Sequence, residues 1–132
     1  MDIGIGLWCL QSTATSPRSF GQAYQDLTSD AQLAEANGIH SLWLSEHHGY
    51  YDGYCPALMP AAGAALAATQ NIQIGTGVLL LPLHEPQRVA NAANLLNEQS
   101  PNRFHLGLGM GYRPIEFEIK QQSISQRLQL MN

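Results

Sequence analysis

Charge is what this sequence has least of. Asp, Glu, Lys and Arg make up 12% of its 132 residues, about half the usual share for a soluble domain. Six basic side chains against ten acidic ones give a formal charge of −4. No stretch gathers them into a basic patch, so nucleic acid is not an expected partner. With 45% hydrophobic residues, so few charges imply a surface covered in large part by the chain itself or by a partner. Cysteine is scarce too. Cys9 and Cys55 are the two present; they lack CxxC spacing, which excludes a disulfide framework and fits reduced side chains. Nothing approaches the roughly 20 consecutive apolar residues of a membrane span. Residues 1–10 carry no basic region ahead of their apolar run, so a signal peptide is not expected and the expected location is the cytoplasm.

What is present is an alternation of strand and helix signals. Residues 3–10 read as a first strand with Gly4 and Gly6 inside it. Residues 19–37 read as a helix, because Tyr24, Leu27, Ala31 and Ala34 recur at helical spacing and Asn37-Gly38 supplies a stop. Residues 41–45 form an apolar second strand. Pro56 can open a second helix, rich in small residues, that runs through Ala61 to about Thr69. Residues 72–81 read as a third strand closed by Pro82, and Pro86 opens a third helix with Val89, Ala93 and Leu96 on one face. Residues 103–108 form a fourth strand, and Ile124, Leu128 and Met131 share a face of a last helical stretch. Strands that recur about every 30 residues are βαβ units. They imply an α/β fold with a parallel sheet and right-handed crossovers.

Chemistry is concentrated just past the second strand. In parallel α/β barrels the residues after the carboxyl ends of the strands face the substrate, and here they are Glu46, His47 and His48. His47 is the candidate catalytic residue, since an imidazole titrates near neutrality and passes protons either way. His48 is expected to be a supporting group. Glu46 either orients His47 or points into a polar interior. Adjacent histidines with no further Cys, His or acid at ligand spacing chelate poorly, so no metal is expected. Tyr50, Tyr51 and Tyr54 pack down the following loop or form a rim, and Trp8 and Cys9 would line the same mouth. Gly107-x-Gly109-x-Gly111 is not a dinucleotide fingerprint, because Tyr112 stands where the pattern needs glycine and Pro114 delays the helix.

Three ordered motifs carry a resemblance. Leu42-Trp43-Leu44-Ser45-Glu46-His47-His48, then Ile74-Gly75-Thr76-Gly77-Val78 through Pro82 with Pro86-Gln87-Arg88, then Asn102-Arg103-Phe104-His105-Leu106-Gly107-Leu108-Gly109 with Glu116-Phe117, resemble the bacterial luciferase-like family of flavin- and deazaflavin-dependent oxidoreductases. The resemblance implies a (β/α)8 barrel of TIM-barrel type, which needs about 250 residues. Residues 1–132 then read as its N-terminal half, an incomplete barrel of about four strands. It further implies a monooxygenase using FMN, reduced by a separate reductase, with O2 and a small organic substrate; the alternatives are the deazaflavin F420 in hydride transfer, or a non-catalytic half barrel. His47 would act on the flavin or the substrate oxygen. Gly77, Val78, Gly109 and Met110 would contact the cofactor, and a cis peptide would fall at Gly77–Val78. Met110 departs from the polar residue that the family often carries there. A half barrel has open sheet edges, so self-association or a partner half barrel is expected.

Overall fold

Leu42 and Leu44 are sealed from solvent while Trp43 between them is 36% exposed, and that alternation sets up the architecture. The computed structural model describes residues 1–7, 11–51 and 54–131; Trp8 and Cys9, expected at the mouth of the site, lie outside them. Strands β1 (Gly4–Leu7), β2 (Ser41–Leu44), β3 (Gln73–Thr76) and β5 (Phe104–His105) form one parallel sheet in the order β1-β2-β3-β5. The short strands β4 (Leu79–Leu80) and β6 (Leu108–Gly109) pair in parallel beyond β3 and β5. Helices α1 (Phe20–Ala36), α2 (Leu58–Ala68) and α3 (Pro86–Gln99) form the crossovers, and α4 (Pro114–Ile119) follows β6. The strands and helices thus alternate in an α/β, parallel-sheet arrangement, as the spacing predicts, and it fits the part of a TIM-type barrel that the resemblance implies.

One face of the sheet meets the helices. Leu42, Leu44, Ile74 and Phe104 pack there against Ala23, Leu27 and Ala31 of α1 and Ala61, Ala62 and Ala65 of α2, whose small side chains let helix and strand approach closely. The other face carries Trp43, whose Nε1–H donates to Ser41 Oγ at 3.0 Å. Its indole lies so close over Gly75 that a Cβ there would collide with the ring. Glycine in β3 thus makes room for the Trp43 side chain.

Several boundaries differ from the sequence expectation. Helix α2 starts at Leu58 with Ala57 as its cap, so Pro56 precedes the helix and Pro60 occupies its first turn, where a missing N–H is harmless. The expected third and fourth strands are each broken in two. Between paired positions Gly75↔His105 and Leu79↔Leu108, the third strand advances four residues while its neighbour advances three. That is a β-bulge, a feature that redirects side chains and often sits beside active sites. The Gly77–Val78 peptide within it is cis, as the resemblance implies. Thr76 fills the bulge: its Oγ1 donates to Gly107 O and accepts from Gly107 N–H, each at 2.8 Å. The final helical stretch is also absent; α4 ends at Ile119, and two 3-10 turns, Ile124–Gln126 and Gln129–Met131, follow.

Candidate active site

The carboxyl ends of β2, β4 and β6 enclose a cleft of about 370 Å³. His47, Gly77, Val78, Gly109 and Met110 all line it, together with Ser45, Glu46, Leu80, Gly111 and Tyr112. The fold thus brings the five predicted site residues to one opening, although they span more than 60 positions of sequence. Val78 and Met110 present partly exposed apolar side chains, 37% and 40%. No Lys or Arg is among the described residues lining the cleft. A second, smaller cavity of about 210 Å³ lies near the starts of α2 and α3; it holds His84 and none of the five.

His47 is held on several sides. Its Nδ1 lies 3.0 Å from Glu116 Oε1, and since a carboxylate only accepts, the ring donates its Nδ1–H. Tyr54 stacks on the imidazole at 4.7 Å between centroids, and Tyr50 meets it edge-on at 5.7 Å. The ring is left 13% exposed. With Nδ1 committed, Nε2 is the atom free to take or give a proton. Glu116 itself is fully buried, and its Oε1 also accepts from the backbone N–H of His48 at 3.1 Å and faces Arg113 Nη1 at 3.5 Å. The Arg113 guanidinium lies 4.1 Å above the Tyr50 ring and donates to His48 O, so it braces the loop. Glu116 Oε2 has no hydrogen-bond partner among the described residues.

Glu46 does something else. Its side chain bonds other partners than His47: its Oε1 accepts from Nε2–H of both His48 and His84 at 2.6 Å, and its Oε2 accepts from the Leu80 N–H at 2.7 Å. Although burial opposes the charge, those donors hold the carboxyl well below its usual range, at about 2. His48 bonds Glu46 through Nε2 and Glu116 through its backbone N–H. Glu116 and His84 are the residues that sequence reasoning passed over. Glu116 stands 69 positions from His47 on a short helix with no motif of its own, and the signal available was its place beside Phe117 in the third stretch of resemblance.

The glycines also resolve into distinct uses. A Cβ at Gly109 would collide with the Val78 side chain, and one at Gly107 with Thr76 O. Their bareness lets the bulged strand approach its neighbour and seats Val78 in the cleft.

Comparison with known proteins agrees with this geometry. The chain is 33% identical over 101 residues to the alkanal monooxygenase alpha chain of the Kryptophanaron alfredi symbiont, a match covering 76% of this chain and 28% of that protein. It superposes on the crystal structure of monooxygenase RslO1 from Streptomyces bottropensis with a TM-score of 0.88 at 27% identity, over 98% of this chain and 39% of that one. It also shares the fold of the FMN complex of the oxygenating constituent of 3,6-diketocamphane monooxygenase from Pseudomonas putida, with a TM-score of 0.85 at 22% identity, over 98% and 37% of the two chains. The chain therefore spans well under half the length of these relatives. The family model of luciferase-like monooxygenases matches residues 3–132, and with the motifs, the bulged parallel sheet and the relatives all in agreement, the chain belongs to that family.

Proposed function

We propose that the chain supplies the first half of a luciferase-like barrel, with the ring-binding part of a flavin site and its acid–base histidine, for a monooxygenase acting on a small organic substrate. The observation that carries this reading is the convergence of His47, Gly77, Val78, Gly109 and Met110 on one cleft at the carboxyl ends of the strands. The lining fits a flat, largely apolar ring. Val78 and Met110 offer apolar contact, and the glycines beside them add no bulk. Met110 contributes packing where a polar residue would add a hydrogen bond, so the ring is held by shape. The described lining offers no Lys or Arg to grip a phosphate.

Reduced FMN, supplied by a reductase, would bring the electrons for reaction with O2. The chain's own residues do the rest of the work described here. Glu116 fixes the His47 ring through Nδ1, leaving Nε2 to hold or move a proton at the cleft, and the Tyr50, Tyr54 and Tyr112 rings around it limit access of water. F420 in place of FMN would turn the same cleft to hydride transfer without oxygen. A second reading, a half barrel that works only by assembly with a complementary piece, is favoured by β1 and β5 standing at the edges of the four-stranded sheet, since unpaired edges invite another chain.

Titration of the chain with FMN under reducing conditions tests the proposal. A calorimetric binding isotherm with a dissociation constant on the order of micromolar supports it, and F420 in parallel separates the two cofactors. Failure of both to bind, with self-association seen by light scattering, leaves the assembly reading in place.

A further inference from the structure

Among the described residues, Glu46, His48 and His84 bring two imidazole nitrogens and a carboxylate oxygen within 4.8 Å of one another. Glu46 and His48 follow β2, whereas His84 comes from the turn before α3, 38 positions after Glu46. Local spacing could not have shown this, which is why the sequence predicts no metal. We infer that these three side chains form a binding site for one divalent transition-metal ion, Zn2+ foremost. The inference does not rest on the flavin reading.

Two imidazoles and one carboxylate are a donor set that zinc accepts, with the fourth position left to water; imidazole suits Co2+, Ni2+ and Cu2+ as well. The group is also prepared for an ion. Glu46 and His48 are buried, and the Leu80 N–H holds the second Glu46 oxygen at 2.7 Å, so the carboxylate is oriented by an outer hydrogen bond of the kind that supports metal ligands. Without metal, the two Nε2–H groups donate to Glu46 Oε1 at 2.6 Å. For an ion to bind there, each imidazole takes the Nδ1–H tautomer, which frees its Nε2 lone pair as the ligand. Tetrahedral ligands about 2.1 Å from zinc stand roughly 3.4 Å apart, so each Glu46 contact must open by less than about 1 Å and the two imidazole nitrogens, within 4.8 Å of each other, must close by at most about 1.4 Å. Rotation of imidazoles on their own side chains can provide that. Hydrogen-bonded and metal-bound forms are thus two occupancies of one arrangement.

The test uses the tag-free full chain, stripped with a chelator and dialysed against Zn2+, with Co2+ as a spectroscopic substitute. The expected result is uptake of about one ion per chain, visible absorption of a four-coordinate Co2+ centre, and a rise in melting temperature with Zn2+. His84→Gln keeps an N–H able to donate to Glu46 but removes the ligand nitrogen, so it should fold as the parent does and lose affinity at least about tenfold. His48→Gln is the second variant should the first not fold. His105→Ala, which removes an exposed histidine, should leave uptake unchanged. Uptake well below one ion, or uptake that neither Gln substitution weakens, would overturn the assignment.

Discussion

Two buried carboxylates stand at the same end of the sheet, and they are used in opposite ways. Glu46 is saturated: two imidazoles and a backbone N–H occupy both oxygens. It joins the end of β2 to the segment 80–84 and so fixes two walls of the cleft. Glu116 gathers its donors on one oxygen, including the His47 ring that faces the cleft, and leaves the other oxygen without a partner among the described residues. A saturated buried acid behaves as a structural hub. An acid that spends one oxygen on a single cleft-facing imidazole is suited to set that ring's tautomer. Burial and residue type alone would not have told the two apart.

The largest expected effect tests the His47 side of the comparison. His47→Ala should lower turnover by about 10²–10⁴-fold, the range for loss of a positioned acid–base group, with circular dichroism and oligomeric state unchanged. Unfolding of the variant would instead make His47 a structural residue. Next comes the hub. Glu46→Ala seals the His48 Nε2–H and the Leu80 N–H from water without partners, and should destabilise the chain by about 3 kcal/mol or more in urea unfolding. A loss as small as that of a surface substitution would show that water replaces the carboxylate freely. Glu116→Gln should fall between the roles: about 1 kcal/mol of stability, but a clear fall in kcat with little change in KM, because it disturbs the tautomer rather than the cleft walls. Equal losses from Glu116→Gln and Glu46→Gln in turnover would erase the distinction drawn here. Gly109→Ala, which pushes a methyl into Val78, should cost about 1–3 kcal/mol through overpacking and move Val78 out of the cleft.

The smallest effect concerns a third acid, far from the cleft. Glu35 accepts from the backbone N–H groups of Asn71, Ile72 and Gln70, chiefly the first two, and these lower its pKa. A depressed carboxyl adds stability above its unfolded pKa and loses it as pH falls through the folded value. Glu35→Gln should therefore lower the melting temperature at neutral pH by no more than about 2–4 °C, since solvent screens this accessible group. The difference should vanish in acid. Persistence of the full difference in acid would mean that the carboxylate charge is not what stabilises the turn.

Much of the fold was legible because its signals are local. The Asn37-Gly38 stop is where α1 ends, with Gly38 at φ +75°. Pro86 does begin α3. The bulge at Gly77–Val78 was implied by the resemblance and not by the strand pattern, because a strand run of residues 72–81 reads the same whether or not its partner skips a position. Trp43 reads as one of three apolar neighbours, yet it lies on the opposite face of β2 because successive strand side chains alternate. Among the site residues, His47 announced itself by its place after a strand, whereas Glu116 and His84 did not, being ordinary residues until the chain folds.

The sequence by itself determined the repeating strand–helix order, the end of α1, the start of α3 and the strand terminus at which chemistry collects, since caps, periodicity and turn residues act over a few positions. Only the tertiary structure decided which acid serves which histidine and that Thr76 closes the bulge of the third strand against Gly107. Those depend on contacts between segments 30 to 70 positions apart, and the register and burial that create such contacts exist only once the sheet is assembled.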